Sequence, residues 1–453
     1  MPGGVLQSPI EEALSVSRQM HLNLFIQSRG HHEASWRHAD ASQLSMTDIQ
    51  FFTGLTQRAE EGLFDSVFLA DSLAVGEDAG HAARTWFEPL TSLGALSVQT
   101  SKIGLIATAS TTYTEPFNLT RQFASLDHMS KGRIGWNIVT SWSVPAAANY
   151  GDSAQVSHAA RYERAEEFMQ VAKALWDSWS DDAVLDDRAG GRYADVDKIR
   201  AIDHLGDFYR VKGPLNLPRC PQGHPVLVQA GSSSTGRAFA ARHAEAVFTA
   251  HLEKTTALDF YKDLKTRVVE YQRNPDHVLI LPGISAVIAG TETEALRYAD
   301  EANHLANPEV GRRRLSGRFG GFDFSHLALD KKLTPDDFPD PVDVQAARSR
   351  AEVIVGMVRR EQPTLRELLA KLAGARGHFT FAGTPEQVAD LLEDWFKSGA
   401  ADGFNLMPPI LPTMLDVFVD EVVPILQQRG LFRTAYEGHT LRDHYGLARP
   451  TAD

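Results

Sequence analysis

Residues 225–236 read PVLVQAGSSSTG, and this stretch carries the pattern on which the fold turns. Pro225–Gln229 is a short, nearly continuous apolar run, long enough for a strand and too short for a helix. Ala230–Gly236 consists of small and hydroxyl residues, and helical spacing begins at Thr235. A strand apolar on both faces is one covered on both sides, as parallel strands between helices are.

The same unit recurs in both directions. On the N-terminal side lie His21–Gln27 (HLNLFIQ), Ser66–Ala70 (SVFLA), Ile103–Thr108 (IGLIAT) and Ile134–Thr140 (IGWNIVT). On the C-terminal side lie Ala246–Ala250 (AVFTA), Leu279–Ile288 and Gly403–Met407 (GFNLM). Helical spacing separates them at Thr47–Gly62, Pro89–Val98, Pro116–Met129, Ala159–Trp179 and Ala257–Gln272, and a last helix is predicted over Met414–Gln428. Strands alternating with helices predict parallel strands joined by crossovers, hence the α/β class. Eight units make either a closed (β/α)8 TIM barrel or a doubly wound open sheet. No Gly-x-Gly-x-x-Gly follows the first strand, which favours the barrel.

The rhythm breaks twice, predicting insertions after strands 4 and 7. Residues 180–222 are acidic, then rich in Gly and Pro, with hairpin-like pieces such as Asp207–Val211 (DFYRV); about 300–380 is charged and reads as helical. Residues 1–18 read as an N-terminal extension with a short helix, and 19–450 as a single barrel domain.

Hydrophobic residues make up 43% of the 453 and charged residues 23%, enough to bury a sizeable core. A net charge of −13 disfavours nucleic acid as the main partner. The single cysteine, Cys220, excludes an internal disulfide and has no pattern around it that would activate the thiol. No run approaches the roughly 18 apolar residues of a membrane span, and no signal-peptide core opens the chain. The expectation is a soluble, cytoplasmic protein.

Barrel chemistry belongs at the C-terminal ends of the strands. The polar residues there are Asp71, Thr108, Asn137 and the run Ala230, Gly231, Ser232 and Ser233. The AGSSSTG turn opens a helix, so its free N–H groups and the positive end of the dipole suit a phosphate, with Arg237 as a further charge. Equally, Ser and Thr there can simply cap the helix. Asp71 can bind a ligand or cap the next loop. His158 and Tyr162, four apart, share one helix face; they can reach over the barrel mouth or merely pack. His31, His32 and His378 fall in loops with no partner at metal-ligand spacing, so no metal site is expected.

These residues belong to longer matching segments. They include FLADSLAV (68–75), LDHMSKGRIGWNIVTS (126–141), HAARYERAEEF (158–168), PQGHPVLVQAGSSSTGR (221–237), GTPEQVAD (383–390), AADGFNLMPP (400–409) and FRTAYEGHTLRDHYGLARP (432–450). In these segments the chain resembles the bacterial luciferase-like flavin monooxygenases, in the branch of nitrilotriacetate, EDTA and dibenzothiophene-sulfone monooxygenases. TTYTEP (111–116) and FNLMPP (404–409) look closer to the aminopolycarboxylate enzymes.

The resemblance implies a luciferase-like barrel, usually a homodimer or homotetramer, that uses FMN as FMNH2 with O2 as cosubstrate. An NAD(P)H-dependent flavin reductase supplies the FMNH2. Asp71 and Thr108 match positions lining the flavin ring, His158 and Tyr162 match positions at its edge with a catalytic role, and Ser233 matches a phosphate contact. The implied activity is hydroxylation of a small organic substrate with C–N cleavage. The same chemistry on a sulfone or halogenated aromatic, a deazaflavin-dependent oxidoreductase and a non-catalytic flavin-binding protein are the competing readings. GRRRLSGRFGG (311–321) is more basic than the family leads one to expect. Its arginines, Arg312, Arg313, Arg314 and Arg318, either clamp a substrate carboxylate or solvate a mobile loop, and the solvated loop is the favoured reading.

Overall fold

Short apolar strands satisfy their backbone groups only by pairing, and here they pair until the sheet meets itself. The computed structural model describes residues 18–451 apart from 77–78, 82, 84–86, 142, 152–156, 342–347 and 376. The predicted extension lies outside the described residues except for Arg18, whose guanidinium already pairs with Asp402 at 2.8 Å.

The strands are β1 (His21–Ile26), β2 (Ser66–Leu69), β3 (Gly104–Ser110), β4 (Ile134–Val139), β5 (Val184–Asp187), β6 (Arg192–Ala194), β7 (His204–Leu205), β8 (Arg210–Val211), β9 (Val226–Gln229), β10 (Ala246–Thr249), β11 (Leu279–Ile288), β12 (Phe379–Gly383) and β13 (Gly403–Leu406). All barrel pairs are parallel, in the order β1–β2–β3–β4–β9–β10–β11–β13, and β13 returns to β1 with His21 opposite Gly403. This is the predicted eight-stranded parallel barrel with helices around it. At the closing seam a Cβ on Gly403 would lie 2.0 Å from the His21 carbonyl oxygen, so only glycine fits.

Alternation along each strand divides the core in two. Trp136 of β4 faces outward against Phe123, Phe168 and Trp176 of the surrounding helices. Ile106, Val226, Val228, Phe248 and Leu281 belong to a second apolar cluster that fills the barrel. The C-terminal segment closes the end where the strands begin. Leu441, Tyr445 and Leu447 join the interior cluster, and the Tyr445 hydroxyl donates to Asn23 Oδ1 at 2.9 Å. Arg442 grips Glu245 with two bonds, 2.7 and 3.0 Å, and Arg433 pairs with the buried Asp65. The opposite end stays open for chemistry.

The insertions follow β4 and β11, as predicted. The first holds two antiparallel hairpins, β5–β6 and β7–β8. The second packs helices Pro308–Arg318, Arg348–Glu361 and Leu365–Ala375 around their own apolar cluster, which includes Leu315, Phe324, Val358 and Leu368. Two expectations need correction. The second insertion ends in a strand, β12, rather than in helix. β11 runs on beyond the barrel, and Ile284–Ile288 needs a partner there, which Phe379–Gly383 supplies in parallel. The last helix is not continuous either. Thr413–Val417 passes through a π turn at Phe418–Val422 before Val423–Gln428, because Pro424 has no N–H to give the i−4 carbonyl. No helix of the described residues is long and apolar enough to cross a membrane.

The plug generates a stability prediction. Burial would raise the Glu245 carboxyl, but the Arg442 guanidinium, with the Leu227 N–H and the Arg273 cation, holds the group below its usual range. That contribution is therefore present above the ordinary carboxylate pKa and is lost as pH falls through the lower folded value. Arg442→Ala leaves Glu245 buried without its partner and is expected to cost about 3–5 kcal/mol at neutral pH. Urea unfolding should show this difference shrinking in strong acid.

Candidate functional site

Each βα turn at the open end contributes a few polar groups, and the loops around them leave two adjoining cavities. The smaller, of about 550 Å³, is lined by Asp71, Thr108, Ser110 and Gln229 among others. The larger, of about 710 Å³, is lined by His158, Arg161, Ser232, Ser233 and Arg237, with residues of the second insertion across from them. Thr140, Tyr162, Ala230 and Gly231 line both and stand between them.

The turn after β9 folds as its composition demands. Ser233 caps the helix Ser234–His243, its hydroxyl accepting from Gly236 N at 3.1 Å. The N–H groups of Ser234 and Thr235 then have no intrahelical acceptor and point out of the helix N-terminus. The Tyr162 hydroxyl hydrogen-bonds with the side chains of Thr140 and Ser233. A Cβ on Gly231 or Gly236 would lie 3.1 or 3.0 Å from that hydroxyl, so both glycines hold open a cradle beneath it. Gln229 Oε1 accepts from Gly231 N at 2.7 Å and fixes the turn from the strand side. Arg237 is tied to Asp263 at 2.9 Å, and Asp263 also accepts from Arg267.

His158 opens the helix His158–Trp176, exposed at the rim, with its ring centroid 4.9 Å from that of Tyr162. Burial and then the neighbouring Arg161 cation lower its pKa, so the imidazole is neutral at pH 7. Burial raises the Tyr162 phenol despite its hydrogen bonds to Thr140 and Ser233, so it keeps its proton. Burial and the negative Glu88 raise Asp71, whose carboxylate also accepts from Ser72 N at 2.8 Å.

Eight of the predicted site residues thus line one cavity or both: Asp71, Thr108, His158, Tyr162, Ala230, Gly231, Ser232 and Ser233. Asn137 does not. It stands opposite Thr108 in the β3–β4 ladder and donates to the Thr108 hydroxyl at 2.9 Å. The Asn137 Oδ1 is buried without a partner among the described residues.

The basic segment is a helix and not a mobile loop. Arg312, Arg313, Arg314 and Arg318 fall in the helix Pro308–Arg318, and none of them lines either cavity. Arg312 donates to the carbonyls of Phe324 and Leu327 at 2.8 and 2.6 Å, and Arg314 pairs with Glu33. Arg312 thus braces the insertion internally, and Arg314 ties it to the segment after β1.

Sequence reading missed Arg161, Phe248, His251, Arg360 and His378, all of which line the larger cavity. Arg161 was within reach, since it stands three residues after His158 on the same helix face. His378, read as a loop histidine, stacks face to face on Phe248 with centroids 5.0 Å apart, a contact that no local pattern signals. Among the described residues no group of three or more His, Cys, Asp or Glu stands together to hold a metal.

The luciferase-like monooxygenase family matches residues 28–402. The chain is 46% identical over 436 residues to N-acetyl-S-(2-succino)cysteine monooxygenase of Bacillus subtilis (strain 168), covering 96% of this chain and 98% of that relative. To nitrilotriacetate monooxygenase component A of Aminobacter aminovorans it is 45% identical over 449 residues, with the same coverage of 96% and 98%. A crystal structure of riboflavin lyase with modified FMN and riboflavin superposes with a TM-score of 0.84 at 31% identity, covering 96% of this chain and 97% of that one. The chain belongs to the luciferase-like flavin-dependent monooxygenases, in the branch that holds the nitrilotriacetate, EDTA and dibenzothiophene-sulfone enzymes.

The His158 environment is directly measurable. In an NMR titration its imidazole is expected to have a midpoint below the ordinary histidine value, and Arg161→Gln should move that midpoint upward. A wild-type midpoint at or above the ordinary value would contradict the environment described.

Proposed function

We propose that this chain is the oxygenase component of a two-component system. It would use reduced FMN and dioxygen to hydroxylate a small polycarboxylate beside its nitrogen, with C–N cleavage. The observation that carries the reading is the cradle at Gly231, Ser233 and Gly236 under the Tyr162 hydroxyl, which opens onto both cavities. Only a ligand that places an anion at a helix N-terminus and a flat body in the next cleft uses both. Ser233, the N–H groups that follow it, and Ala230, Gly231 and Ser232 would hold the FMN phosphate. Asp71 and Thr108 would face the ring, with Asn137 fixing the Thr108 hydroxyl. A relative crystallised with modified FMN supports FMN as the ligand. Reduced FMN, when bound, supplies the electrons that activate dioxygen for transfer of one oxygen atom.

The chain's own residues then have definite tasks. The barrel mouth and the second insertion exclude water from the reacting centre. Tyr162, kept protonated, donates a hydrogen bond between the two cavities. His158, neutral at pH 7, can take the proton of a hydroxyl newly formed on the substrate while the substrate nitrogen gains one and the C–N bond breaks. The reduced flavin would come from an NAD(P)H-dependent reductase; "component A" in the name of one relative is in keeping with such a partner.

A second reading follows from the other relative, whose named substrate carries its carboxylates around a thioether. Hydroxylation at the succinyl carbon beside sulfur would cleave C–S by the same steps. Purified protein with a flavin reductase, NADH, FMN and air is expected to convert nitrilotriacetate to iminodiacetate and glyoxylate. On the second reading it would convert N-acetyl-S-(2-succino)cysteine to N-acetylcysteine and oxaloacetate. Hydrogen peroxide as the sole oxygen product across both substrates and a sulfone would count against the oxygenase assignment.

Two variants separate binding from chemistry. Gly231→Ala should weaken FMN binding at least tenfold by fluorescence titration, because the new methyl meets Gln229 and Tyr162. His158→Ala should keep FMN binding and lower kcat about 10²-fold or more.

A further inference from the structure

The larger cavity is roofed by the helix Arg348–Glu361 of the second insertion. Glu352, Val353, Gly356 and Arg360 line it, at spacings that put them on one face of that helix. Gly356 weakens a helix interior, yet it stands in the middle of this one. A Cβ there would lie 3.4 Å from Arg360 Nη1, in ordinary contact, so the guanidinium lies along the roof beside Gly356.

Arg360 pairs with Glu253, which comes from the opposite wall, just before the helix Lys254–Glu270 that follows β10. The other cavity cations are placed differently. Arg237 is bound to Asp263 on the neighbouring helix, and Arg161 is buried in the wall that carries His158. The Arg360–Glu253 pair joins roof to rim, and its side chains are 47% and 34% exposed. An ion pair that open to solvent holds little, so it exchanges partners readily. A planar guanidinium accepts another carboxylate with two parallel bonds.

We infer that Arg360 selects a carboxylate-bearing substrate, and that Glu253 stands in for the substrate carboxylate until one displaces it. The inference rests on the oxygenase reading above for the reaction, but not for binding. Exchange keeps one charge-assisted bond on Arg360 throughout and joins the roof to the substrate instead of to the rim. Glu352 on the same helix and Asp259 on the helix after Glu253 also line the cavity, so substrate charge would be recognised against an acidic background.

The test uses the full-length protein with FMN bound, nitrilotriacetate and its uncharged triamide, read by calorimetry and by KM. Arg360→Gln is expected to weaken nitrilotriacetate binding about ten- to hundredfold and to collapse the preference for nitrilotriacetate over the triamide. Arg360→Lys should restore part of it. Glu253→Gln should act in the opposite sense and tighten nitrilotriacetate, because it removes the competitor. A pair that only braces the lid would give weaker binding for both substitutions, and that result overturns the inference. So does unchanged affinity in Arg360→Gln, or a wild-type protein that binds the triamide as well as nitrilotriacetate. Absent turnover with intact, Arg360-dependent binding would sink the oxygenase reading and leave this one standing.

Discussion

The closing seam between β13 and β1 is the constraint on which the rest of the structure depends. Until His21 stands opposite Gly403, the sheet has two open edges and no mouth. The seam is tight enough that any side chain at Gly403 would strike the His21 carbonyl. Once it closes, every barrel strand has two neighbours, and the strand ends are brought around a common opening. The site is a consequence of closure, because its residues come from β2, β3, β4, β9 and the helix after β4.

Closure also divides the labour between the two ends. At one end the C-terminal segment fills the barrel, fastened by Arg442 on Glu245 and Arg433 on Asp65. Ion pairs this deeply buried tolerate no loss of a partner, so that end is rigid. At the other end Arg161 and the Tyr162 hydrogen bonds belong to the barrel wall, while the roof helix meets the rim through the solvent-accessible Arg360–Glu253 pair. Binding and exchange need that looseness. The Ser233 cap and the two glycines beneath Tyr162 lie where the rigid barrel meets the adjustable roof.

The family relatives give this division a chemical sense. Flavin chemistry is common to them, while their named substrates differ widely. The parts assigned to FMN come from the barrel's own strand ends. The roof of the larger cavity comes from the second insertion, which has its own apolar cluster.

The amino-acid sequence alone determined the barrel rhythm, because alternation of short apolar runs with helical spacing is a local property. It also determined the phosphate-competent turn, since small residues before a helix act within a few positions of one another. Asp71, Thr108, His158 and Tyr162 were legible for the same reason: each stands at a strand end or on a helix face that local periodicity defines. Other features were decided by tertiary structure only. β12 exists because β11 outruns the barrel, and Arg314 ties the second insertion to Glu33 after β1 because its helix docks there. His378 reached Phe248, and Arg360 reached Glu253, across a hundred or so residues of chain. Contacts of that range depend on which faces of the insertion meet the barrel, and periodicity records that a face is apolar but not what it will meet.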